Sequence, residues 1–248
     1  MAGRVPINRA LSKLGILSRS QATDAIRSGR VRVNGRIVRD PSVLVEPERA
    51  RIVVDGERRR RSGWRTLVFN KPRGVVATRS DPQGRKTIYD VLGEHARGLI
   101  AVGRLDLATS GLLLLTSDTR LADWIADPAN GVPRVYVVTV RGEVGLEAIA
   151  KLTSGVHDGR DRLRADAVTM RKSSARESHL VVELHEGKNR EVRRLFASIG
   201  HEVTRLKRVK LGGLELGSLE PGGWRELDAA DVRAAFPGAA VNLAAMIV

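Results

Sequence analysis

The sequence has no cysteine, which excludes disulfides, zinc–thiolate centres and thiol nucleophiles. Its five histidines, His95, His157, His179, His185 and His201, show no His-x-x-x-His spacing, so metal catalysis has no motif to rest on. No glycine-rich dinucleotide or phosphate-loop fingerprint occurs, and no cofactor is expected. Hydrophobic runs are short. None approaches the roughly 20 residues that span a bilayer, and the opening Met1-Ala2-Gly3-Arg4-Val5-Pro6 lacks the apolar core of a signal peptide. A cytoplasmic protein with no membrane partner is expected.

What is abundant is positive charge. Forty-three Lys and Arg face 28 Asp and Glu, a net charge of +15, the balance of a protein that meets a polyanion or of one with a generically basic surface. With 248 residues, 42% hydrophobic and 29% charged, the chain is a folded protein with room for a small and a medium domain. Residues 1–62 carry 15 Lys and Arg against six Asp and Glu, a net +9, and read as a separate module.

Within that module Ile7, Ala10, Leu11 and Leu14 recur at helical spacing, and Gly15 supplies a stop. Ser18 and Gln21 form a capping box for a second helix, with Ala22, Ala25 and Ile26 inward and Gly29 at its end. Val31 and Val33 alternate with Arg30 and Arg32 ahead of an Asn34-Gly35 turn, and Ile37 and Val38 return the hairpin. Alternation sends the arginines outward, where Arg19 and Arg27 of the second helix can join them in a basic face. The run Arg58 to Arg61 with Ser62 and Gly63 reads as a linker, because adjacent like charges repel.

From residue 63 to 248 the pattern is mixed. Strand-like runs cover Leu67 to Phe69, Ile100 to Val102, Leu112 to Thr116, Val135 to Val140 and His179 to Leu184. Helix-like stretches cover Asp118 to Ala126, Leu146 to Leu152 and Asn189 to Ile199. Strands come in neighbouring groups, so the expected class is α+β, with an antiparallel or mixed sheet flanked by helices.

Three segments could carry chemistry. Gly103-Arg104-Leu105-Asp106 places a carboxylate in a loop between apolar strands, a position that suits catalysis and equally a structural turn or an Arg104–Asp106 contact. Tyr136, one of two tyrosines, shares a strand face with Val138 and Val140, as core packing or as a platform for a flipped base. In Glu186-Gly187-Lys188-Asn189-Arg190-Glu191-Val192-Arg193-Arg194-Leu195, Arg190 and Arg193 lie one turn apart. They can present guanidinium groups together to phosphate or carboxylate, or form a solvated face.

The order of these segments resembles a known family. Asn70-Lys71-Pro72-Arg73-Gly74, Ser80-Asp81-Pro82-Gln83-Gly84-Arg85, the GRLD motif, Ser110-Gly111-Leu112, Tyr136, the EGKNREVRRL motif and Gly222-Gly223-Trp224 are similar to the RsuA/RluB branch of ribosomal-RNA pseudouridine synthases. Residues 4–56 resemble the alpha-L RNA-binding module also found in a small-subunit ribosomal protein and in tyrosyl-tRNA synthetases. The resemblance implies that Asp106 is the catalytic aspartate, that Tyr136 contacts the target base, that Arg193 pairs with Asp106, and that Leu206 packs under the base. Lys71, Arg104 and Arg190, which lie in the motifs, and Arg19, Arg27, Arg30 and Arg32 of the module are expected to contact RNA. Members often carry Lys where this chain has Arg134, and Arg does not reproduce lysine's geometry.

The implied partner is ribosomal RNA, most closely 23S RNA of the large subunit, free or in a pre-ribosomal particle, bound by a monomer. Two rival readings are a non-catalytic ribosome-assembly factor on the same scaffold and a DNA-binding regulator. A hairpin directly after the helix pair and a large second domain fit a helix-turn-helix protein poorly.

Overall fold

The computed structural model describes residues 4–14, 16–17, 19–47, 49–58, 63–159 and 161–239. Near the N-terminus, α1 (Ile7–Lys13) and α2 (Arg19–Arg27) bury Ile7, Ala10 and Leu11 with Ala22, Ala25 and Ile26 in one cluster. The strands β1 (Val31–Val33) and β2 (Arg36–Ile37) form the hairpin. Asn34 and Gly35 both take positive φ, 50° and 84°, as a type I′ turn requires. Ile37 is 48% exposed, so the return gives the core only the partly buried Val38 and no fully buried side chain. Buried side chains come instead from β3 (Ile52–Val54), which pairs with the other edge of β1 and buries Ile52 and Val54. Arg58 belongs to β4 (Glu57–Arg58), paired with β3, which corrects the linker boundary: backbone pairing holds the residue despite the charge run. Residues 59–62 lie outside the described residues, as do Gly15 and Ser18, and with them the expected helix stop and capping box.

The rest of the chain builds on β5 (Thr66–Lys71), β6 (Ile100–Ala101), β7 (Thr109–Thr116), β8 (Arg134–Arg141), β9 (Ala167–Ser173), β10 (Glu177–Leu184), β11 (Val203–Leu211) and β12 (Trp224–Leu227). Around them lie α3 (Ile88–Leu92), α4 (Thr119–Ala126), α5 (Leu146–Ser154), α6 (Glu191–Ser198) and α7 (Ala229–Ala235). Among the described residues the sheet has nine strands in the order β9-β10-β8-β11-β7-β5-β12, with β6 on β7 and Leu214–Glu215 on β11. All of these pairs are antiparallel except β11 with β7, so the class is α+β with a mixed sheet.

Both faces of this sheet are covered, which explains why Leu112 to Leu115 run unbroken. Leu112 and Leu114 pack with Val68, Leu121, Ile125 and Phe236, whereas Leu113 and Leu115 pack with Leu67, Phe69, Ile88 and Leu99. Each such leucine contributes roughly 1.5–3 kcal/mol through burial. A third cluster joins β8 and β10 to α6 through Val138, Val140, Leu180, Val182, Leu195 and Phe196. Asp118 starts α4 by accepting from Arg120 N and Leu121 N.

The parallel pairing within this sheet positions the chemistry. Its register sets Leu206 opposite Thr109 and Arg208 opposite Gly111. Gly111 has φ +105°, and a Cβ there would run into the carbonyl of Arg208, so only glycine allows this approach. Across β11's other edge, Val138 opposes Leu206 and Tyr136 opposes Arg208, with a bulge between Val135 and Tyr136.

Candidate active site

Asp106 sits in the loop that leads into β7, held by a turn in which Thr109 N donates to Asp106 O at 3.0 Å. The loop opens on a cavity of about 140 Å³ whose lining includes Arg104, Asp106, Thr109, Arg134, Tyr136, Arg190, Glu191, Leu206 and Arg208. Five expected residues thus meet in one place: Asp106 and Arg104 from the loop, Tyr136 from β8, Leu206 from β11 and Arg190 from the α6 entrance. Tyr136 is half-buried and packs on two of the hydrophobic clusters, while Leu206 is buried. Arg104 is exposed, and among the described residues no ion pair joins it to Asp106.

Two expected contacts take a different form. Lys71 is fully buried, its Nζ donating to Pro72 O at 2.9 Å and Thr109 O at 2.8 Å, so it braces the loop from beneath. Burial pulls its ammonium down to about 8, and the charge of Asp106 opposes that fall. Arg193 feels the attraction of Asp106 but forms no contact ion pair. Its guanidinium donates to Val203 O at 2.8 Å and Ala108 O at 3.3 Å, which ties α6 to β11 and to the loop two residues past Asp106. Burial, then repulsion from Arg190, lowers its pKa.

Arg190 precedes α6 with φ 49°, so it is no part of the helix; α6 starts at Glu191, two residues later than its sequence pattern predicts. A left-handed non-glycine residue costs on the order of 1–3 kcal/mol and gathers at functional sites. Arg134 is buried at 6% exposure, and its guanidinium donates to Val132 O, His185 O and Ile125 O. Burial lowers its pKa, with Tyr136 and Glu191 acting against that. Its planar fork serves three carbonyls at once, which an ammonium does with different geometry.

Arg208 and Glu191 were not anticipated. Arg208, 4% exposed, donates from Nε to Leu112 O at 2.8 Å. A signal for it exists, since alternation from Leu206 sends position 208 to the same strand face. Glu191, also 4% exposed, accepts from Lys188 N at 3.1 Å, and burial pushes its carboxyl up to about 7. Beside Val192 in a charged stretch it has the look of an ordinary first-turn acid.

The cavity is therefore a base-sized space lined by two carboxyl groups, Asp106 and Glu191, an aromatic ring, and several guanidinium groups. Among the described residues no group of three or more His, Asp or Glu could hold a metal ion, and no helix is long and apolar enough to cross a membrane. Arg19, Arg27, Arg30 and Arg32 are exposed and line none of this cavity. Arg30 pairs with Asp55 at 3.2 Å.

This combination of a mixed sheet and a carboxylate-bearing loop has clear counterparts. Residues 65–198 match the RNA pseudouridylate synthase family and residues 5–50 match the S4 domain; the chain belongs to the RNA pseudouridylate synthase family. It is 36% identical over 233 residues to an uncharacterised RNA pseudouridine synthase of Aquifex aeolicus, covering 94% of each chain. It is 39% identical to the ribosomal large subunit pseudouridine synthase B of Vibrio vulnificus, over 91% of this chain and 72% of that protein. A crystal structure of a pseudouridylate synthase superposes with a TM-score of 0.64 at 29% identity, covering 92% of this chain and 98% of the other. Membership makes the chain an enzyme and sets aside both the non-catalytic and the DNA-binding readings.

Proposed function

We propose that this chain converts one uridine of 23S large-subunit ribosomal RNA to pseudouridine, through Asp106. The family assigns the reaction class. The large-subunit target is supported by the names of relatives such as the Vibrio vulnificus protein, 39% identical, and the Bacillus subtilis large subunit synthase B, 34% identical over 92% of this chain. The observation that carries the reading is the meeting of Asp106, Tyr136 and Leu206 in one cavity.

The reaction breaks the bond from the sugar to N1 of uracil, turns the base, and forms a bond from the same sugar carbon to C5. The C5 proton leaves and N1 gains one, so no cofactor is consumed. The base must first leave its stack, at a few kcal/mol, and enter the protein. Asp106 acts at the sugar or base as nucleophile or proton acceptor. Tyr136 and Leu206 pack the flipped base, Arg104 and Arg190 at the cavity draw the flanking phosphates, and Lys71 and Arg193 position the aspartate loop. Residues 1–62 form the RNA-docking module, through Arg19, Arg27, Arg30 and Arg32, and residues 63–248 the catalytic domain of a cytoplasmic monomer.

The test is pseudouridine mapping by carbodiimide labelling and reverse transcription on ribosomal RNA from cells with and without the gene. Loss of one stop in 23S RNA is expected. Loss of a stop in small-subunit RNA, or no loss, would overturn the assignment.

A further inference from the structure

Among the described residues five buried side-chain polar atoms lack a hydrogen-bond partner, and three of them belong to residues that line the cavity: Thr109 Oγ1, Glu191 Oε1 and Arg208 Nη2. A fourth, Arg193 Nε, sits in the guanidinium that braces the Asp106 loop. Buried polar atoms seldom stay unpaired, so their concentration here points to a polar ligand that completes them. Glu191 and Arg208 are both held from behind, Glu191 through Lys188 N and Arg208 through Leu112 O. Each is thus left with one fixed, unused atom, an acceptor and a donor.

Resting on the pseudouridine synthase reading, we propose that Glu191 and Arg208 hold the imide edge of the target uracil, Glu191 accepting its N3–H and Arg208 donating to a flanking carbonyl. The reaction gives this pairing a particular use. N1 and C5 are both bonded to C6, so exchanging them turns the ring about the axis through C6 and N3. That turn swaps O2 with O4 and leaves N3–H where it was. An acceptor at N3–H and a donor at one carbonyl therefore meet the same pattern before and after the turn. Glu191 marks the pivot, and Arg208 faces the carbonyl oxygen on which negative charge gathers while the base is detached.

Burial comes first in setting the titration of Glu191, and charged groups face it as well. Arg134 comes from β8, Glu186 and Lys188 from the preceding loop, and Asp106, Arg104 and Arg208 line the same cavity. Burial sets the carboxyl near 7, and the carboxylate is the better acceptor.

The test uses the full chain and total ribosomal RNA from cells lacking the gene. Wild-type enzyme must first form pseudouridine; failure there overturns the underlying reading, whereas the outcomes below judge this one. Single-turnover rate, RNA dissociation constant and thermal melting are measured for wild type, Glu191→Leu and Glu191→Gln. The leucine variant is expected to lose about 100-fold or more in rate at saturating RNA, with affinity and melting preserved. The glutamine variant keeps an amide oxygen and recovers most of that loss. It also lacks the rise in rate that wild type shows as pH crosses about 7. A leucine variant at wild-type rate, or a glutamine variant that keeps the wild-type pH profile, would overturn the proposal. Should the leucine variant fail to fold, the glutamine profile decides alone.

Discussion

Arginine is used in opposite ways by the two parts of this molecule. In the N-terminal part Arg19, Arg27, Arg30 and Arg32 stand exposed, where charge acts through water, over a distance, and is screened by salt. Around the cavity Arg134 and Arg208 are 6% and 4% exposed and are fixed by backbone carbonyls. Desolvating a guanidinium is costly unless its donors are used: Arg134 spends Nη1 and Nη2 on three carbonyls, whereas Arg208 spends Nε alone and keeps a buried Nη2 without a partner. On the proposed function, the contrast separates capture of a polyanion from organisation of a reaction.

The largest expected effect tests the buried side of this contrast. Arg134→Leu strips the hydrogen bonds from Val132 O, His185 O and Ile125 O and should cost about 3 kcal/mol or more in urea unfolding. A loss below about 0.5 kcal/mol, the size of an exposed substitution, would erase the distinction.

A second variant sharpens it in the opposite direction. Glu191 has a folded pKa of about 7 against an ordinary 4.5. The folded state therefore holds its proton where the unfolded state has lost it, and stability falls as pH climbs from 4.5 to 7. Glu191→Gln removes this penalty, so the variant should gain up to about 3 kcal/mol over wild type at pH 8 and nothing at pH 4. Equal differences at both pH values would contradict the burial account.

The smallest effects belong to the exposed arginines. Changing Arg19, Arg27 and Arg32 together to Ala should weaken RNA binding and flatten the salt dependence by roughly 0.7–0.9 in slope for each phosphate no longer neutralised. The rate at saturating RNA should fall far less than affinity. Arg30→Ala alone should matter least, since Asp55 already partners it. An unchanged salt slope in the triple variant would show that this surface does not meet RNA.

Much of this arrangement is legible in sequence where periodicity reports burial. Val68, Leu112 and Leu114 announce strands, and Val192, Leu195 and Phe196 announce a helix, because apolar spacing and packed faces coincide. The gap is β11. Its Thr-Arg-Leu-Lys-Arg-Val-Lys run reads as too charged for a strand, yet it lies near the sheet's centre and supplies Leu206 and Arg208. Pattern reading treats every arginine as solvated, so a buried one hides the strand that holds it. Glu191 escapes for the same reason. Lys71 and Arg193 stand out within their motifs, but only the fold tells a brace behind the loop from a contact with substrate.

The central claim is that Asp106 performs the chemistry while RNA affinity resides elsewhere. It is tested most directly by Asp106→Asn, following pseudouridine formed per enzyme on total ribosomal RNA from cells lacking the gene, with the RNA dissociation constant measured in parallel. The account predicts no detectable product and an affinity equal to wild type or slightly tighter, because one negative charge facing phosphate is gone. Turnover within about tenfold of wild type, a barrier change of only about 1.4 kcal/mol, would contradict it.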